Sequence, residues 1–214
     1  FWMSVGFLKA GVTPNQVTFV SWLSAFAGCF FYAVGSDWAN LLGFCLLIGW
    51  ALLDYVDGSM ARFLKKRTLF GHFIDVVGAY YVIAFAPFCM SIGVANYNYY
   101  ENKYVFYCLI FGAFSSILSI LLRLILAKGQ VIFDYDGRSA MNTGSSMIST
   151  LLKWVEAIMS PRGAYFPLLL GCTLYGVTGI FWFVVFYFLY HVASFFGYLA
   201  LYLSSKAKIT DPQV

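Results

Sequence analysis

Charge is what this sequence has least of. Asp, Glu, Lys and Arg make up 10% of its 214 residues, where a soluble domain carries about 25%. With 62% apolar residues and a mean hydropathy of +0.80, the chain has too few polar side chains to cover a surface in water. That excludes an ordinary soluble globule and leaves no room for one beside the membrane spans. Histidine is also scarce, with only His72 and His191 present. The five cysteines, Cys29, Cys45, Cys89, Cys108 and Cys172, all fall in apolar runs without disulfide or metal-ligand spacing. A zinc-type site and a disulfide framework are therefore not expected, and the cysteines read as small apolar packing. Residues 1–10 are not expected to form a cleavable leader, because no basic-then-apolar run precedes a small-residue cleavage site.

What the sequence does have is long apolar runs, and they predict an all-α integral membrane protein of six transmembrane helices with an N-terminal amphipathic interfacial helix. Residues 1–12 form the juxtamembrane segment in this reading, and residues 13–214 form the six-helix membrane domain. FWMSVGFLKA is too short to span, but Trp2, Phe7 and Leu8 with Lys9 suit a helix lying in the interface. Thr13 can cap a first span that has Pro14 in its opening turn and runs to about Val34. Further spans are expected over 38–62, 69–94 and 105–127, each long enough to cross. The polar KKRT stretch at 65–68 and the tyrosine-rich ANYNYYENKY read as surface loops. A long polar stretch occupies 128–146. MISTLLKWVEAIM then reads as an interfacial helix with Leu151, Leu152, Val155 and Ile158 to Met159 on one side. The apolar run from Ala164 to Ser204 is about twice the length of one crossing, so it should hold two spans, broken near Gly176 and Gly179.

The basic residues orient this layout. Of 13 Lys and Arg, only Lys103 falls on the side opposite the termini, which places both termini in the cytoplasm of a cell membrane. The net charge of +4 is then a topology signal and a hint of anionic lipid or substrate; it does not point to nucleic acid.

Against that apolar background stands DYVDGSMARFLKKRTLFGHFIDVVGAYY, residues 54–81. A charged side chain deep in a bilayer costs at least ~2.5 kcal/mol, so such residues face the bundle interior. Asp54 and Asp57 share one helix face, and Asp75 lies on the next, antiparallel helix. All three carboxylates converge at the cytoplasmic end. Three mutually repelling carboxylates suit a hard divalent cation, Mg²⁺ or Mn²⁺. A structural alternative is capping or pairing with Arg62 and Lys65. Gly58 and Ala61 leave a bare strip beside the aspartates, Gly71 opens the start of the next helix, and Arg62 stands at the lip, suited to a phosphate or a base edge. Together these look like a site for a nucleotide diphosphate.

The pattern Asp54-x2-Asp57-Gly58-x2-Ala61-Arg62-x8-Gly71-x3-Asp75 resembles the signature of the CDP-alcohol phosphotransferase (phosphatidyltransferase) family. The six-helix layout and TPN-x2-T, with Thr13, Pro14, Asn15 and Thr18, extend the resemblance over most of the chain. It implies transfer of a substituted phosphate from a CDP-linked donor to an acceptor hydroxyl, with release of CMP. It also implies roles: Asp54, Asp57 and Asp75 as ligands of a two-metal site, Gly58, Ala61, Arg62 and Gly71 as the nucleotide-binding strip, and Asn15 and Thr18 as first-helix residues lining that pocket. Two divalent ions would neutralise the diphosphate and the leaving CMP.

The family pattern ends with a fourth aspartate at position 79, taken to be both the base for the acceptor hydroxyl and a metal ligand. Here it is Ala79, which can do neither. General-base loss costs about 10²–10⁴-fold, so this chain should bind donor and transfer poorly or not at all. His72 shares that face but lies about 10 Å away along the axis, and Tyr80 and Tyr81 are weak bases. Ala79 is either a substitution that traps a substrate complex, which the otherwise intact motif favours, or the residue of a natural non-catalytic relative. Arg123, Lys128 and Arg138 are candidates for an acceptor phosphate, as on glycerol phosphate or inositol phosphate; the alternative for each is positive-inside charge, with a neutral or zwitterionic acceptor such as serine or a polyol. CDP-diacylglycerol is the preferred donor. His191 reads as a packed interior residue. Gly112-xxx-Ser116 and Ser115-xxx-Ser119 allow close helix contact, either internal or in the homodimer that the resemblance implies. A divalent-cation transporter explains the aspartates but not Gly58, Ala61 and Arg62, nor their place at one membrane face.

Overall fold

The structure, a computed structural model, describes residues 2–64, 69–97, 105–135, 147–159 and 163–210. In chain order the described residues form α1 (Trp2–Lys9), α2 (Pro14–Val34), α3 (Asp37–Phe63), α4 (Leu69–Tyr97), α5 (Val105–Tyr135), α6 (Met147–Met159), α7 (Tyr165–Leu174) and α8 (Gly176–Thr210). The expected basic loop at 65–68 lies outside the described residues, as do residues 98–104 of the tyrosine-rich segment.

Local chemistry sets the boundaries. The Thr13 hydroxyl accepts from the Gln16 N–H, and the Thr13 N–H donates to Gln16 Oε1 at 2.9 Å, which closes a capping box before Pro14. Gly35, at φ 84°, ends α2 in a left-handed conformation open to glycine. Asp37 in the first turn of α3 and Arg62 in its last both complement the helix dipole.

Among the described residues five helices, α2, α3, α4, α5 and α8, are long and apolar enough to cross a membrane. The sixth expected span differs. The apolar run after Ala164 does turn at Gly176, at φ 72°, but it divides unequally, into ten residues of α7 and the long α8. Ten residues rise about 15 Å, half of a bilayer core. The division is uneven because the turn comes early in the run: α7 opens at Tyr165, directly after Ala164, and closes after ten residues ahead of Gly176. A second difference lies in α5, which continues through KGQVIFDY to Tyr135 instead of ending near Ala127. That stretch contains no proline to stop the helix.

The main core draws on α2 (Ala25, Cys29, Tyr32), α3 (Leu47, Trp50), α4 (Val82, Met90), α5 (Cys108), α7 (Leu169) and α8 (Phe183, Val184, Tyr187). The short α7 is therefore integral to the bundle, and the Tyr32 and Thr173 hydroxyls join it to α2 at 2.9 Å. Gly28 and Gly43 bring α2 and α3 together: a Cβ on Gly28 would lie 3.1 Å from the Gly43 carbonyl. The small residues of α5 serve internal packing in the same way. Gly112 abuts Ser91 and the Pro87 carbonyl of α4, Ser119 is buried, and Ser115 hydrogen-bonds His191 of α8 at 3.1 Å. Outward, Phe114, Ile117, Ile120, Trp182 and Leu189 remain exposed, as lipid contact requires.

A smaller cluster of Val17, Val56 and Met60 with Phe7, Leu8 and Val12 pins α1 over α2 and α3. On α6, Leu151, Val155 and Ile158 are exposed, while Leu152 turns to Gly197 of α8. The expected apolar side is thus shared between lipid and protein.

Candidate functional site

The start of α2, the end of α3 and the start of α4 enclose a cavity of about 740 Å³, within the size range of small-molecule sites. Leu8, Gly11, Val12, Thr13, Pro14, Asn15 and Thr18 form one wall, Asp57, Gly58, Ala61, Arg62 and Leu64 the second, and Gly71 and Asp75 the third. All six expected nucleotide-strip residues, Asn15, Thr18, Gly58, Ala61, Arg62 and Gly71, therefore line one space. The helix periods explain it: Asp57, Gly58, Ala61 and Arg62 are one helix face of α3, and Gly71 and Asp75 are one turn apart on α4.

Asp57 and Asp75 line this cavity, and Asp54 clusters with them without lining it. Each offers a carboxylate oxygen, and these atoms lie within 4.8 Å of one another. Asp57 is buried, and Asp54 and Asp75 are half-buried. Thr18 donates its hydroxyl proton to Asp57 Oδ2 at 2.5 Å, a charge-assisted length. The bond fixes one carboxylate oxygen of Asp57. Three hard oxygens at this spacing suit a divalent cation such as Mg²⁺ or Mn²⁺.

The bare strip has the expected shape. A Cβ on Gly58 would meet no atom within 4 Å, so the α3 backbone is open to a flat ligand. Arg62, exposed at the lip, donates to Ser59 Oγ at 3.1 Å. Ala79 is half-buried and packs against the main core; it is not among the residues lining the cavity. Beside it, the Trp22 indole lies against the backbone of Gly78.

The acceptor candidates separate. The Arg123 guanidinium sits 4.3 Å above the Tyr80 ring, and Arg123 is not among the residues lining the cavity. The side chains of Lys128 and Arg138, and that of His72, lie outside the described residues. His191 is buried, with Nδ1 2.9 Å from the Tyr187 carbonyl, so that nitrogen carries the proton; this is the packed interior role expected. The wall supplied by Leu8, Gly11 and Val12 was not expected. Its one signal in the sequence is Gly11, whose φ of 73° turns α1 back over α2.

An uncharacterised protein of Aquifex aeolicus (strain VF5) is 38% identical over 69 residues, 32% of this chain and 34% of that protein. The chain therefore matches about a third of that relative's length. The sequence model of the CDP-alcohol phosphatidyltransferases reaches much further, over residues 11–204. That span takes in the capping turn before α2, all three aspartates, the open strip on α3 and the whole helical bundle behind them. The protein belongs to the CDP-alcohol phosphatidyltransferase family.

Proposed function

We propose that this chain binds a CDP-linked lipid, CDP-diacylglycerol in the first instance, together with Mg²⁺ or Mn²⁺, and that its transfer of the phosphatidyl group to an acceptor hydroxyl is abolished or impaired by Ala79. The observation that carries the reading is the convergence of Asp54, Asp57 and Asp75 within 4.8 Å on a cavity walled by Gly58, Ala61 and Arg62. The carboxylates would hold the cation, and the bound cation would neutralise the donor diphosphate and the CMP that leaves. The open Gly58–Ala61 strip would take the flat base and ribose, with Arg62 at the phosphate or base edge. Apolar Leu8, Val12 and Leu64 in the wall suit a donor with acyl chains.

Position 79 divides binding from transfer. A methyl group cannot take the acceptor proton, and the described neighbours offer no replacement: Tyr80 lies beneath the Arg123 guanidinium. If the acceptor carries a phosphate, Arg123 would have to leave the Tyr80 ring to meet it. Both termini and the site would face the cytoplasm, and a homodimer would pair through surfaces other than Gly112–Ser119, whose small residues are used internally.

Ala79→Asp tests the reading. In detergent or vesicles with Mg²⁺ or Mn²⁺, the variant should release CMP from CDP-diacylglycerol given the right acceptor, at least about 10²-fold faster than the present chain. A folded variant that binds CDP yet releases no CMP with any of a broad acceptor panel would instead identify a non-catalytic CDP-lipid-binding relative. Metal flux into vesicles without a CDP ligand would favour a transporter.

A further inference from the structure

We infer that the aspartate cluster of this chain holds one divalent cation and not a pair. The inference rests on the proposed metal–nucleotide reading and concerns how many ions these residues can take. Two ions in one site sit about 3.5–4 Å apart and need oxygen ligands around both. Asp54, Asp57 and Asp75 bring three negative charges within 4.8 Å, against four positive charges on a pair. One lone pair of Asp57 Oδ2 is already engaged by Thr18.

One turn deeper, where further ligands would have to stand, the three helices offer almost no oxygen. On α4 the residues on the Asp75 face are Gly78 and Ala79. The Trp22 indole closes over Gly78, and its nitrogen is a donor that cannot ligate a cation. Ala79 contributes a methyl group packed on the core. On α3 the corresponding residues are Trp50 and Ala51, both apolar and in the same core. On α2, Ser21 is fully buried and donates to the Thr18 carbonyl at 2.7 Å. Oxygen ligands are therefore gathered at one level, beside the cavity, and that level suits a single ion whose remaining positions are filled by water and by the diphosphate of the donor. Cation and nucleotide then bind as one unit, each raising the affinity of the other by the same factor.

The experiment is Mn²⁺ binding to the purified full chain in detergent or nanodiscs with saturating CDP, read by isothermal titration and by electron paramagnetic resonance. The expected result is one Mn²⁺ per chain, with the signal of an isolated ion and an affinity that rises at least tenfold when CDP is present. Two Mn²⁺ per chain with a spin-coupled signal overturn the inference and leave the proposed function standing. No CDP-dependent Mn²⁺ at all overturns the metal–nucleotide reading itself. Ala79→Asp, wherever it folds, should raise the count to two; the count in the unaltered chain decides the matter without it.

Discussion

Replacing Thr18 with valine removes one hydroxyl and keeps the branched shape of the side chain. That hydroxyl donates to Asp57 Oδ2 at 2.5 Å, and Asp57 is 5% exposed. A hydrogen bond to a charged group contributes about 1.5–3 kcal/mol, or about 10- to 100-fold in a binding constant. The same range is found when a group that orients a metal ligand is removed. Thr18→Val should therefore weaken CDP-dependent Mn²⁺ binding by about 10- to 100-fold, and Thr18→Ser should restore most of it. The Thr18 side chain also lines the cavity, so CDP affinity should fall in step with Mn²⁺ affinity and not independently of it. The assay is Mn²⁺ titration at fixed CDP, with thermal unfolding in detergent to show that all three proteins are folded. A Thr18→Val protein that binds Mn²⁺ within twofold of the parent would refute the view that this hydroxyl sets the geometry of Asp57.

Gly58→Val should fold normally, because a Cβ there meets nothing within 4 Å, while its methyl groups obstruct the strip. CDP affinity should fall about tenfold or more, an overpacking cost of about 1–3 kcal/mol, with the unfolding temperature unchanged; retained CDP binding would place the nucleotide elsewhere. Tyr198→Phe removes the 2.6 Å bond that ties Glu156 of α6 to α8. Amide exchange across residues 147–159 should then speed up by about tenfold, and unchanged exchange would show that the apolar contacts of α6 hold it alone.

Much of the site could be read from spacing because helices make spacing geometric. Asp54 and Asp57 three apart, and Gly71 and Asp75 four apart, must lie on shared faces, and a short connection must bring those faces together. The Thr13 cap before Pro14 was legible for the same local reason. The reach of α7 was not, since the total length of an apolar run does not tell how a turn divides it; the left-handed Gly176 leaves only ten helical residues before it. Nor could spacing reveal that Gly112, Ser115 and Ser119 face α4 and α8 instead of a second chain. Small-residue patterns specify close approach and leave the partner unnamed. Trp22 against Gly78, and α1 as a wall of the cavity, are tertiary contacts between segments with no shared period, and nothing in either segment announces the other.

These last contacts bear most on what position 79 means. Read along the chain, Ala79 is one missing carboxylate in an intact motif. In the fold it belongs to a wider feature: below the level of the three aspartates, α2, α3 and α4 present Trp22, Trp50, Ala51, Gly78 and Ala79, an apolar layer in which the Trp22 indole closes over Gly78. On the proposed function, donor recognition would use the level above, where Thr18, Asp57, Gly58 and Arg62 line the cavity. A chain can thus retain the upper level, with its cost of holding carboxylates in an apolar bundle, while the lower level has no group to accept the proton of an attacking hydroxyl. On the proposed function, the ratio of CDP affinity to CMP release is the quantity that would distinguish this chain from a working transferase.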